Sequence, residues 1–186
     1  MLLSPRQLDG GWGTHIECAS TMFGSILNYI CLRLLGVPPE DKACVQGLAF
    51  IRKNGGGVMA PSWAKFWMAV LGVYEWEGIN SVPAELWLLP RWFPFHPWRL
   101  WCHCRMVYLP MSYLYSSRFK RDVMADPVAS ALRKELYLKP YDEIKWGRHR
   151  HDCCPMDAYA EISWVMRLAQ DVLDVYERFF CVGPLR

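Results

Sequence analysis

The chain has 186 residues, enough for one domain with a sizeable core. Its net charge is only +3 and its basic residues are scattered, which excludes a nucleic-acid-binding face. No apolar run is long enough to span a bilayer, the two best being broken by Asn28 and Arg33 and by Pro61 and Lys65.

Residues 1–17 read as a polar entry in which Gly10, Gly11 and Gly13 permit a tight turn around Trp12. Met1 to Arg6 carries no apolar stretch of signal-peptide length. Ser20 or Thr21 then caps a helix to about Leu35, with Phe23, Ile26, Leu27, Ile30, Cys31 and Leu34 on one stripe and Gly36 as its stop. Pro38, Pro39, Glu40 and Asp41 open a second helix, with the prolines and acids in its first turn. Lys53, Asn54 and the run Gly55-Gly56-Gly57 close it. Ser62 caps a third helix, which carries Trp63, Phe66, Trp67, Val70, Leu71 and Tyr74 and ends at Trp76-Glu77-Gly78. Trp67 is expected in the core. A short helix follows between Pro83 and Pro90, then a rigid aromatic loop with Trp92, Phe93, Phe95 and Trp98. Trp87, Trp92 and Trp98 read as surface or interface anchors.

Leu100 to Tyr113 is the most unusual stretch. It sets Trp101, Cys102, His103 and Cys104 side by side, ahead of a turn containing Pro110. Three readings are open: a core helix, a zinc site, or the wall of an apolar pocket with one polar handle. Cys-x-Cys is a poor bite for zinc, and no second Cys or His pair follows at finger spacing. His149, His151, Cys153 and Cys154 match no zinc spacing either, so neither a metal nor another cofactor is expected. Cys102 reads as packing. Eight cysteines, with Cys18, Cys31 and Cys44 inside apolar helical patterns as buried thiols, imply a reducing compartment.

Further helices run from Asp126-Pro127 to about Tyr137, with Val128, Ala131, Leu132 and Leu136 inward, and from about 158 to 180. The last carries a long stripe of Ile162, Val165, Met166, Ala169, Val172, Leu173, Tyr176, Phe179 and Phe180. Strand-like alternation is almost absent. The expected fold is all-α, with helix pairs that form part of an α/α barrel. Hydrophobic residues make up 53% of the chain, with 10 Trp, more than such a core needs. That points to large pockets or to chemistry on aromatic faces.

Several segments, in order, resemble the N-terminal region of oxidosqualene cyclases, the triterpene cyclases that make lanosterol or cycloartenol. These are Asp9 to Glu17, Ser20 to Tyr29, Pro61 to Trp67, Trp76-Glu77-Gly78, Trp101 to Tyr113 and Leu132 to Tyr137. The resemblance covers about residues 9–146 and then loosens, with Tyr159-Ala160-Glu161-Ile162 where the family has Tyr-x-Pro-His. Gly10-x-Trp12 resembles the end of the family's Gln-Trp repeat, although Gln7 lies one residue too close to the Trp.

The resemblance implies that the chain is a partial N-terminal barrel domain, residues 1–186, of an enzyme that converts 2,3-oxidosqualene to a sterol precursor. It implies that Trp63 and Trp101 line the pocket, that His103 sits near the late-stage cation and takes part in final proton loss, and that Cys104 and Tyr108 flank the substrate entrance. His103 favours the sterol-forming type. By the same resemblance the protein would sit peripherally on the endoplasmic reticulum membrane or on a lipid droplet. The family's acid is the Asp of Asp-Cys-Thr-Ala-Glu, which this sequence lacks, and Asp152-Cys153-Cys154-Pro155-Met156-Asp157 departs from it. The chain alone is therefore expected to be inactive, without the acid-bearing C-terminal domain. The alternative is a non-enzymatic helical module that binds a lipid or a protein through an exposed aromatic face.

Overall fold

The structure is a computed structural model that describes residues 8–15, 17–94, 96–123, 125–159 and 163–180, the last three without their side chains. Gln7, Ile16, Phe95 and Ile162, and the side chains of Phe179 and Phe180, therefore lie outside the described residues. Among the described residues six α-helices account for the regular structure: α1 (Met22–Leu34), α2 (Lys42–Lys53), α3 (Ser62–Val70), α4 (Cys102–Ser116), α5 (Pro127–Glu135) and α6 (Trp164–Phe180). Single 3-10 turns punctuate the connections. Among the described residues the only extended pairing is one antiparallel bridge between Trp12 and Thr21, so the all-α expectation stands. The chain forms two compact units, Met1–Ile79 with Lys120–Glu161, and Asn80–Phe119 with Ile162–Arg186.

In the first unit α1 packs against α2, α3 and α5. Thr21, rather than Ser20, caps α1, its hydroxyl accepting the Gly24 N–H at 2.9 Å. Met22, Ile26, Tyr29 and Ile30 then fall on the buried face, and they meet Ile51, Phe66, Met68 and Leu132 in the core. Trp12 is buried beneath α2. A Cβ on Gly47 would lie 2.3 Å from the indole, so only glycine admits the ring there.

Several boundaries differ from the sequence expectations. Asp41 is the cap of α2, accepting the Ala43 N–H at 2.7 Å, so Pro38 to Glu40 precede the helix instead of forming its first turn. Pro61, not Ser62, occupies the cap position of α3, and no side chain caps that end. That helix stops at Val70 because Gly72 takes φ +76°; Trp76-Glu77-Gly78 is a separate 3-10 turn. The segment between Pro83 and Pro90 is 3-10 rather than α. Pro110 lies inside α4, not in a turn, and cannot donate to the Met106 carbonyl.

Burial corrects other expectations. Trp67 is 44% exposed. Of Cys18, Cys31 and Cys44, only Cys44 is buried, and Cys102 is exposed as well. On α5 the buried positions are Ala129, Leu132 and Leu136; Val128 and Ala131 are half-buried. The last helix begins at Trp164 and leaves Val165, Met166 and Val172 exposed. Its periodicity was a true helix signal, but periodicity says nothing about which face is covered. Among its described side chains Ala169, Leu173 and Tyr176 are half-buried, together with Gln170, Asp174 and Glu177. Glu177 accepts from the Tyr115 hydroxyl at 2.6 Å and pairs with Arg118, and the Ser81 hydroxyl bonds Asp174 at 3.1 Å.

Asp157 closes the first unit from the far end of its sequence. Its carboxylate accepts the N–H groups of Met22 at 2.9 Å and Phe23 at 2.7 Å, so it caps α1 across the fold. Burial pushes this carboxyl up from its ordinary value, and the two N–H groups oppose that rise. Asp157→Ala orphans both donors at the positive end of α1 and is expected to cost about 2 kcal/mol. Asn, which keeps one acceptor, should recover part of it. Urea unfolding checks this, and an unchanged midpoint for Asp157→Ala would contradict the role.

Candidate functional site

The sequence candidates divide between the units. Trp63 stands at the start of α3 in the first unit with its ring 52% exposed, and Trp101, His103, Cys104 and Tyr108 gather on α4 in the second. The backbone explains the second grouping. Trp101 is the cap residue of α4, in extended conformation (φ −53°, ψ 146°), so its side chain leaves the helix direction. The next turn is helical and carries His103 and Cys104, with Tyr108 four residues after Cys104 on the same face.

Trp101 and His103 are in contact. Their ring centroids are 4.4 Å apart with planes at 70°, an edge-to-face arrangement. Trp101 is 69% exposed, so its indole face is open. His103 is exposed too, and among the described residues its imidazole makes no hydrogen bond. Cys104 is exposed. Tyr108 is half-buried; its hydroxyl donates to the Pro83 carbonyl at 3.1 Å, and its ring lies 6.0 Å from Trp87. Burial, then the Glu85 carboxylate, pushes this phenol up to about 12, so it remains a neutral donor.

The surroundings are apolar and open. Leu100 just before α4, and Met106, Leu109 and Tyr113 along it, all expose much of their side chains. Trp98 shows what ring faces do in this unit: the guanidinium carbons of Arg91 and Arg105 lie 4.7 and 4.5 Å from its ring centre. Arg118 lies 4.2 Å from the Tyr115 ring. Such contacts are worth about 0.5–1 kcal/mol when exposed and about 2 or more when dry. The sequence reading missed the Trp98 pair, although Arg91 and Arg105, each seven residues from the indole, were visible in it.

The whole chain, residues 1–186, matches the squalene-hopene cyclase N-terminal domain. The chain belongs to that family. It is 49% identical to the lanosterol synthase of Mus musculus over 178 residues, which are 96% of this chain and 24% of the relative. The lanosterol synthase of Homo sapiens is 49% identical over 95% of the chain, and the cycloartenol synthase of Dictyostelium discoideum 44% identical over 92%. The chain spans about a quarter of the length of these curated relatives. Membership agrees with the segments that carry the resemblance, which include Pro61 to Trp67 and Trp101 to Tyr113.

No helix among the described residues is long and apolar enough to cross a membrane.

Proposed function

We propose that this domain forms part of the wall of the cavity in which 2,3-oxidosqualene is cyclised to a sterol precursor such as lanosterol or cycloartenol. The observation that carries the reading is the edge-to-face pair of Trp101 and His103 beside an apolar helix. The reaction is an isomerisation. An acid protonates the epoxide oxygen, the C–O bond breaks, successive alkenes close rings by attack on carbocations, and a base removes the last proton. A carbocation makes no hydrogen bonds and is held by π faces in a site that excludes water. In the second unit Trp101 supplies such a face, His103 takes the final proton, and Cys104 and Tyr108 flank the entrance; in the first unit Trp63 offers a ring face of its own.

The proton that starts the reaction comes from the family's Asp-Cys-Thr-Ala-Glu segment, which this sequence does not contain. The 186-residue chain alone is expected to leave 2,3-oxidosqualene unconverted. Exposed Trp92, Trp98 and Trp164 support peripheral contact with the endoplasmic reticulum membrane or a lipid droplet.

The test grafts the chain in place of the matching quarter of the mouse lanosterol synthase. The chimera should convert oxidosqualene to a sterol precursor. His103→Ala within it should lower that product about a hundredfold, with partly cyclised or differently deprotonated products in its place. A folded chimera whose product spectrum is indifferent to His103 would contradict the assignment.

A further inference from the structure

The first unit holds a groove that the cyclase reading does not use. Its volume is about 470 Å³, within the range of small-molecule sites. Val58, Tyr137, Leu138 and Ile144 supply apolar surface, and Lys139, Lys145, Arg148 and His149 line the groove with one carboxylate, Glu143; His149 is paired with Asp152 at 2.7 Å. All three cations are exposed, and among the described residues none has an ion-pair partner.

The cations sit on backbone that is fixed. Lys145 and Arg148 flank Trp146, whose ring is wedged among Tyr74, Tyr137 and Tyr141 at centroid distances of 4.6, 5.2 and 4.8 Å. The far end of that turn is tied down by the buried Lys65 ammonium, which donates to the His149 and Asp152 carbonyls at 2.6 Å each. The opposite wall comes from the glycine run: Gly57 N–H donates to the Leu136 carbonyl at 2.8 Å, and a Cβ on Gly56 would lie 2.9 Å from that oxygen. The backbone that carries the three cations is therefore fixed before any ligand arrives, and binding has only their exposed side chains to order.

We propose that this groove binds a small molecule that joins a phosphoryl group to an apolar body. One carboxylate offsets one of the three cations. The remaining charge matches a phosphate, which carries about −1.5 to −2 at neutral pH, better than a lone carboxylate. The apolar floor contacts the rest of the ligand. The site is independent of the cyclase reading, since oxidosqualene carries no charge.

The test is calorimetric titration of the full chain with octyl phosphate, kept monomeric, and with inorganic phosphate. Octyl phosphate should bind saturably and more tightly than inorganic phosphate. The double variant Lys139→Gln/Arg148→Gln should weaken it about tenfold or more. Arg99→Gln/Arg167→Gln, which removes the same charge at exposed positions elsewhere, should leave it within about twofold. Melting of both variants should match the parent, because the substituted cations are exposed. Absence of saturable binding, equal weakening in the two variants, or equal affinity for both phosphates would overturn the proposal. So would binding to phosphatidic acid vesicles without binding to octyl phosphate in solution, which would assign the surface to a lipid headgroup.

Discussion

Glu135→Ala is expected to destabilise the protein by about 3–5 kcal/mol, the range for removing one partner of a buried ion pair. Glu135 ends α5 and faces Arg33 near the end of α1. The guanidinium Nη2 and Nε each reach a carboxylate oxygen at 3.1 Å, and the Tyr29 hydroxyl donates to the same carboxylate at 2.7 Å. Arg33 is 8% exposed and Tyr29 fully buried. Alanine would leave a desolvated cation whose remaining acceptor is the Val37 carbonyl at 2.7 Å, together with a buried hydroxyl that has lost its acceptor. The hydrogen bond to Glu135 raises the Arg33 guanidinium above its ordinary value, and burial followed by Glu135 raises the Tyr29 phenol. Both groups therefore act as donors across the physiological range. Glu135→Gln keeps a carbonyl for Tyr29 and should cost less. Arg33→Met with Glu135→Leu removes both charges for apolar bulk and should fall much closer to the parent. Urea unfolding of the set checks this; a double variant as damaged as Glu135→Ala would show that the energy lies in packing and in the Tyr29 hydroxyl, which both variants orphan, rather than in the unpaired charge.

This ion pair marks the limit of what was legible in the sequence. The α1 stripe of Ile26 and Ile30, its cap at Ser20 or Thr21 and the start of α5 at Asp126-Pro127 could be read directly, because periodicity and capping are local. Arg33 and Glu135 stand 102 residues apart, and Asp157 stands 135 from the Met22 N–H it accepts. No local pattern announces such partners. The misplaced end of α3 has a similar cause: Tyr74 continued the aromatic spacing, yet Gly72 at φ +76° had already turned the chain. At α6 the spacing of Val165, Met166 and Val172 was helical as read, but their exposure depends on neighbours that spacing does not encode.

The site was legible to a different degree. The order Trp101, Cys102, His103, Cys104 suggested a pocket wall with a polar handle, and the structure brings the Trp101 and His103 rings to 4.4 Å. Expecting Cys102 to pack failed because the first turn of α4 stands in the open, from Trp101 through Cys104. From the sequence alone Trp98 reads as an anchor. Its geometry, flanked by two guanidinium groups, makes it a cation-binding ring face within the same unit.

Lys65 gives the second large effect, and its sign depends on pH. Its side chain is fully buried on α3, two residues from Trp63. Burial lowers its ammonium from 10.5 to about 8, against the opposing pull of Asp152 and Cys153. The unfolded chain therefore binds a proton between about pH 8 and 10.5 that the folded chain has released, and folding stability contributed by this residue rises through that window. A shift of this size corresponds to about 3 kcal/mol, absent below pH 8 and complete near 10.5. Lys65→Met removes the titration, but it also removes the donor to the His149 and Asp152 carbonyls. The comparison to make is the difference in unfolding free energy between the two proteins, measured from pH 7 to pH 10.5. Tyrosines whose phenols are raised by burial, such as Tyr115 at about 12, titrate alike in both and cancel. The difference should move by about 3 kcal/mol in favour of the parent as pH rises. A flat difference would mean that the folded ammonium titrates near its ordinary value, with the two carbonyls at 2.6 Å compensating its burial in full.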